Sequence, residues 1–260
     1  MNANAMELDV DAYLARLGLT SAPPRDVNGL AVLQRAHMTA VAFENLDVFH
    51  RVHVDADPGR SIQKIVDRRR GGWCFELNGA FAELLRALGF KVEVLGAAVM
   101  LDGPATVATH MTLEVRLDQP YLVDVGFGDC FFRPLALNDA RPQDGGSGTF
   151  QVTSGPFATT LAEIVDGESV AQYRFPRIGR THADFEPASQ SLQDDRELKW
   201  SQHRFATRLL DGGPDRVTLL HDRLKLARAG VVTETAVAPS DWVATLSEWF
   251  DMTVPVTDPA

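Results

Sequence analysis

A chain of 260 residues and 28.5 kDa, 45% of them hydrophobic, is long enough to bury a substantial core and holds one large domain or a few small ones folded as a unit. Its 35 acidic against 25 basic side chains, a formal charge of −10, exclude broad binding to nucleic acid or anionic membrane, because phosphate backbones and acidic lipids do not attract that sign. Two cysteines exclude a disulfide scaffold; the start, Met1 to Asp9, has no signal-like pattern, and apolar runs such as Leu95 to Leu101 are too short to span a bilayer, so the expectation is a reduced, cytoplasmic protein.

Asp11 to Leu17 carries Tyr13, Leu14 and Leu17 at helical spacing and Gly18 suits its end, after which Pro23 and Pro24 force a break. Val27 to Met38 repeats the helical period through Leu30, Leu33 and Ala36, and Ser61 is expected to cap a helix holding Ile62, Ile65 and Val66. After Gly71 and Gly72, the residues Leu77, Phe81, Leu84, Leu85 and Leu88 form one apolar helix face, closed by Gly89.

From Phe90 the period changes to two. Phe90, Val92 and Val94, then Met111 to Leu117, then Tyr121, Val123 and Val125 read as strands, with a turn at Asp118 to Pro120. Asp144 to Gly148 is an exposed loop before strands running from Thr149 to about Tyr173, and the polar stretch Phe175 to Lys199 reads as a long loop. Strands return at Val217 to Leu220, Arg223 to Ala227 and Val231 to Thr235. Pro239-Ser240-Asp241 is expected to cap a last helix that faces inward through Val243, Leu246 and Phe250. Helices, then strands, then strands with one helix make the α+β class rather than a doubly wound sheet.

The segment richest in chemistry runs from Arg68 to Phe81, where Cys74 follows a glycine turn and opens an amphipathic helix. Free N–H groups and the positive helix end there favour a thiolate and would also stabilise an oxyanion. The other reading of Cys74 is a small buried hydrophobe. A thiol nucleophile needs a base and the base an orienter. His110 opens a strand whose neighbour in sequence carries Asp124 between Val123 and Val125, and a carboxylate in that setting needs a partner such as imidazolium. A strand-end histidine and an aspartate paired with arginine is the alternative. With the turn at Asp118 to Pro120, His110 and Asp124 fall about four residues out of register, roughly 13 Å along the strands, so a bulge or another strand neighbour has to bring them together.

No CxxC, HExxH or clustered His/Asp pattern exists, so no metal site is expected. Cys130 reads as packing, Gly126-Phe127-Gly128 as a strand-end turn, and Arg70 as a partner for Glu44 that braces the Cys74 loop.

The run Arg70-Gly71-Gly72-Trp73-Cys74-Phe75-Glu76-Leu77-Asn78 resembles the signature of the arylamine N-acetyltransferase family. Phe43-Glu44-Asn45-Leu46, Thr109-His110-Met111 and Val123 to Gly128 resemble its other motifs, in the family's order and near its spacing, with 36 residues from Cys74 to His110 and 14 more to Asp124. The resemblance implies a helical bundle (1–89) carrying the nucleophile, a β-barrel (90–199) carrying His110 and Asp124 with a following loop, and an α/β lid (200–260). It implies ping-pong transfer in which Cys74 takes an acetyl group from acetyl-CoA and passes it to an arylamine or hydrazine, with His110 as base and Asp124 orienting it. No permanently bound cofactor is implied. Phe43, Phe127, Gly126, Gly128 and Phe205 correspond to substrate-binding positions, and Arg70, Glu44 and Asn78 to structural support.

One departure lies at Leu198 to Phe205, where a loop common in the family is shortened or lost, which implies a more open cleft. Such a cleft suits an alternative within the same family: an amide synthase that takes a polyketide from an acyl carrier protein and closes a macrolactam through the chain's own arylamine. A phosphate-bearing donor would require a basic rim, expected at Lys199 or Arg204.

Overall fold

In the computed structural model, residues 8–101, 103–211 and 213–253 are described. The first third is helical: α1 (Val10–Arg16), α2 (Val27–Ala40), β1 (Phe43–Glu44), α3 (Leu46–Phe49), α4 (Pro58–Val66) and α5 (Cys74–Ala87). The middle holds β2 (Lys91–Val99), β3 (His110–Arg116), β4 (Pro120–Val123), β5 (Leu135–Ala136), β6 (Gln143–Asp144), β7 (Thr149–Ser154), β8 (Thr159–Val165), β9 (Glu168–Phe175) and β10 (Gly179–Arg180). There follow α6 (Glu186–Asp194), α7 (Lys199–Gln202), β11 (Ala206–Leu209), β12 (Arg216–Leu219), β13 (Arg223–Arg228), β14 (Val231–Ala236) and α8 (Trp242–Phe250). This is the expected α+β architecture. No helix among the described residues is long and apolar enough to cross a membrane.

Three early helices start on aspartates whose side chains accept backbone N–H bonds at 2.8 Å: Asp9 from Ala12, Asp26 from Gly29 and Asp57 from Gly59. Asp57, followed by Pro58 at the first helical position, therefore caps α4 in place of the expected Ser61, which lies inside the helix. The α5 helix is buried nearly all round, with Phe75, Leu77, Phe81, Leu84 and Leu85 fully enclosed. At the other end of the chain Asp241 precedes α8 without capping it, and Trp242, rather than Val243, takes the innermost position beside Leu246 and Phe250.

The middle strands form one antiparallel sheet in the order β5-β4-β3-β2-β9-β8-β7-β6, with β10 also on β2. Gln143 joins the two end strands by accepting from the Ala136 N–H at 2.8 Å and donating to the Ala136 carbonyl at 2.9 Å, so the sheet is almost a closed barrel. Phe131, Phe150, Leu161, Tyr173 and Phe175 fill it. The second sheet, β1-β11-β12-β13-β14, is meandering except for β1, which comes from the helical third and pairs Phe43 with Thr207 and Glu44 with Ala206.

The stretch Phe175 to Lys199 is not a long loop: it contains β10, a 3-10 turn at His182–Phe185 and α6. The inner face of α6 is only partly apolar, through Ala188 and Leu192. Gln193 donates to the Val54 carbonyl at 2.7 Å and accepts from the Val54 N–H at 2.8 Å, beside fully buried Ser189.

His37 is fully buried in the helical core, sharing a 3.1 Å hydrogen bond with the Tyr13 hydroxyl and packing on Phe81 at 5.0 Å. Burial, seconded by the charge of Arg16, pushes its pKa down to about 3. Because the unfolded chain takes up this proton near pH ~6.5 and the fold refuses it, stability is expected to fall from there towards pH ~3, by at most ~1.4 kcal/mol per pH unit. Urea midpoints of the wild type and His37→Gln, compared from about pH 7 down to about pH 4.5, check this: the variant's slope should be the flatter.

Candidate active site

The turn that delivers Cys74 depends on backbone contact. Gly72 donates to the Ala42 carbonyl at 3.3 Å and accepts from the Glu44 N–H at 2.9 Å, while a Cβ on Gly71 would stand 2.1 Å from the Ala42 oxygen. Only glycine permits that approach. Below the turn a buried chain of charges fixes it. Arg70 donates to Glu44 at 2.8 Å, as expected, and also to Asp47 at 2.9 Å; Lys64 bridges Asp47 at 2.7 Å and Glu76 at 2.8 Å. Glu76 in turn accepts from the Trp73 N–H at 3.2 Å. Burial weakens the charge on Lys64, but Glu76, Glu44 and Asp47 outweigh it and raise its pKa; burial likewise raises that of Glu76, against Lys64. Lys64→Met is expected to cost ~3–5 kcal/mol in urea unfolding, since Asp47 and Glu76 lose their shared cation inside the protein.

From this base α5 presents Cys74 at its first turn, 3.9 Å from the Thr109 carbonyl. His110, the first residue of β3, lines the cleft with Cys74 and hydrogen-bonds Asp124, with Nε2 2.6 Å from Asp124 Oδ2. Burial opposes its positive form; the Asp124 charge and bond, with a contribution from Cys74, prevail and lift the pKa up to about 10. Burial of Asp124 is likewise overcome by His110, Asn78 and the Gly126 N–H, so its pKa falls below the ordinary carboxylate value.

The four-residue mismatch does not arise. The β3–β4 ladder pairs Arg116 with Pro120 and Leu113 with Val123, a turn of the same length set one residue earlier than expected, and continuing it sets Asp124 opposite Thr112. His110 is then a diagonal neighbour two residues away, within side-chain reach.

Asp124 is fully satisfied. Oδ1 accepts from Asn78 Nδ2 at 2.9 Å and the Gly126 N–H at 2.9 Å, while Oδ2 accepts from the Tyr173 hydroxyl at 3.0 Å as well as facing His110. Asn78, one turn beyond Cys74, also accepts from the Val125 N–H at 3.0 Å. Gly126 must be glycine because a Cβ there would meet the Cys74 Cα and Asn78 Nδ2 at 2.8 Å. Two supports were not legible in the sequence: Tyr173, whose only signal was its alternation with Phe175 on β9, and buried Gln34, which donates to the Asp124 carbonyl at 3.2 Å and the Phe131 carbonyl at 3.3 Å.

Cys74 and His110 face a cleft of about 300 Å³. Phe43, Trp73, Phe127 and Trp200 supply its aromatic surface, and Val99, Leu101, Leu192 and Leu198 the aliphatic one. Of the expected substrate-binding positions, Phe43, Phe127 and Gly126 lie on the cleft. Gly128, at φ +87°, instead backs the Phe43 ring, and Phe205 packs behind the wall against Phe43 and Trp200, at 5.5 Å from each. Asn45 holds this wall by donating to the carbonyls of Trp200 at 2.6 Å and His203 at 2.8 Å and accepting from the Phe205 N–H at 2.9 Å. Arg204 is not a rim residue: it is buried with its guanidinium 4.2 Å above the Trp242 ring. The Lys199 side chain lies outside the described residues. No group of His, Cys, Asp and Glu among the described residues has a metal-binding arrangement.

Residues 26–258 match the family model described as N-acetyltransferase. An arylamine N-acetyltransferase of Mycolicibacterium smegmatis is 36% identical over 193 residues, 71% of this chain and 70% of its own. One from Mycobacterium tuberculosis strain H37Rv is 31% identical over 259 residues, 96% of this chain and 91% of its own. Among solved structures, an N-arylamine acetyltransferase of Mycobacterium smegmatis superposes with a TM-score of 0.87 at 29% identity, covering 94% of this chain and 93% of the other. The arylamine N-acetyltransferase of Mycobacterium marinum in complex with CoA superposes at 0.85 with 30% identity, covering 94% and 93%.

Proposed function

The chain belongs to the arylamine N-acetyltransferase family, and from that premise we propose that it moves an acetyl group from acetyl-CoA to an arylamine or hydrazine through an acetyl-Cys74 intermediate. The observation that carries this reading is Cys74 and His110 together on an apolar cleft, with Asp124 buried behind His110 at 2.6 Å.

His110 holds the proton of the thiol as imidazolium, paired with Asp124. The Cys74 thiolate attacks the thioester carbonyl, the C–S bond to CoA breaks, and His110 gives its proton to the departing CoA thiolate. Backbone N–H groups at the start of α5 face the oxyanion. In the second half the amine attacks the acetyl-Cys74 carbonyl, neutral His110 takes the amine proton, and Cys74 leaves as thiolate, restoring the pair. Asp124 keeps Nε2 of the imidazole occupied so that the other ring nitrogen serves the sulfur. Asn78, Tyr173 and the Gly126 N–H hold Asp124 still, and Arg70 with Glu44 holds the turn.

Both cysteines are free thiols, which accords with a reducing, cytoplasmic setting for the chemistry. Intact-protein mass spectrometry after exposure to acetyl-CoA tests the reading: one acetyl group on Cys74, discharged by an aniline or hydrazide, is expected. The openness of the cleft at Leu101 and Trp200, 57% and 40% exposed, favours a second reading, an amide synthase fed by an acyl carrier protein. Labelling by a polyketide-like thioester with none from acetyl-CoA would select it.

A further inference from the structure

The aliphatic part of the cleft is built from Val99 and Leu101 at the end of β2 and from Leu192 and Leu198 around α6 and α7, beside Trp200, whose ring packs on Phe43 at 6.1 Å. Among the described lining residues the one side chain able to carry positive charge is His110, and it is already paired with Asp124 at 2.6 Å. A carboxylate carried into this space would give up water and find no free cation among the described lining residues, which is costly in proportion to its burial.

Size and mouth point the same way. A cavity of roughly 150 Å³ already accepts benzene, so about 300 Å³ holds one ring with room beyond the acetyl group. At the mouth, Leu101 is 57% and Trp200 40% exposed. A single exposed leucine means little. Two large apolar side chains on the rim of one apolar cleft form a surface that gains from being covered.

We propose that this cleft selects uncharged arylamines or aryl hydrazides bearing an apolar extension and discriminates against the same rings carrying a carboxylate, with Leu101, Leu198 and Trp200 setting the selection. The proposal rests on the acetyltransferase reading and adds its acceptor class.

The direct test compares para-aminobenzoate with its ethyl ester as acceptors. The ester's amine is the less nucleophilic of the two, so chemistry alone would favour the acid. A kcat/KM at least about thirtyfold higher for the ester is expected, and a series from para-methoxyaniline to para-butoxyaniline should rise about two- to fourfold per methylene. Leu198→Arg should shrink the ester's advantage at least tenfold. Equal or faster acetylation of para-aminobenzoate, or a flat alkoxy series, overturns the proposal. Trp73 and Trp200 both line the cleft, so titrating their fluorescence with the same acid and ester reads occupancy without turnover. Tighter binding of the ester with no transfer to any amine would retain the selectivity and overturn the acetyltransferase reading; equal or tighter binding of the acid would overturn the selectivity itself.

Discussion

Cys74→Ser is expected to lower acetyl transfer by about 10⁴-fold or more while leaving the unfolding midpoint near that of the wild type. Serine fits the same first turn of α5, where the side chain is almost enclosed and bonded to the Thr109 carbonyl, so the packing change is small. The chemical change is large. A hydroxyl gives up its proton to imidazole far less readily than a thiol, and a serine ester would not return the acetyl group to an amine as a thioester does. Removing a nucleophile from a group of residues that act together forfeits nearly all of their joint effect. Steady-state rates with acetyl-CoA and an aniline, beside intact mass spectrometry, give the answer. A variant within tenfold of the wild type, or an acetyl group on a residue other than Cys74, would sink the proposed mechanism.

Asp124→Asn should cost about 10³–10⁴-fold in kcat for a different reason. The amide oxygen can still accept from Asn78 and the Gly126 N–H, so the frame survives. Its NH₂ would then occupy the place of Oδ2 and donate to His110 Nε2. That bond forces the other ring nitrogen to carry the proton and turns the base away from the sulfur. It also removes the charge that lifts the pKa of His110 to about 10, so the imidazole of the variant should titrate several units lower, an NMR observable independent of rate.

The same pair has a stability signature. His110 has a raised pKa in the fold, so its contribution is complete below the unfolded value near 6.5 and disappears as pH rises through about 10. Asp124 has a lowered one, so its contribution is present above about pH 4 and disappears as pH falls. The gap in urea midpoint between wild type and Asp124→Asn should therefore be widest from about pH 4 to about pH 6.5 and narrow towards about pH 10.

The polar residues of the site were legible because chemistry constrains them locally: a thiol after two glycines, a histidine opening a strand, an acid between valines. The β3–β4 register was not, because one residue in the turn decides it, and no periodicity distinguishes a strand ending at Arg116 from one ending at Leu117. Tyr173 and Gln34 reach Asp124 and its neighbours from β9 and α2, contacts set by how sheet and helices meet. The stretch from Phe175 to Lys199 escaped for a physical reason too: α6 buries Ser189 and Gln193 against the backbone of Val54, so half of the face that packs is polar and only Ala188 and Leu192 give the helix an apolar stripe. That misreading concealed Leu192, and with it part of the wall most relevant to substrate choice. Arg204, in turn, reads as a surface cation from sequence and is folded over Trp242 in the structure.

The pairing of β1 with β11 orders events in time. Phe205 reaches back 160 residues to Asn45, and Thr207 and Ala206 pair with Phe43 and Glu44, so the strand that braces the Cys74 turn waits for its partner until four-fifths of the chain has been synthesised. Contacts of such long sequence separation form late, because a large loop must close before they are rewarded. A nascent chain thus acquires its thiol, imidazole and carboxylate early and a finished cleft wall last. Premature termination before β11 should release fragments that contain the reactive groups without the pocket that disciplines them.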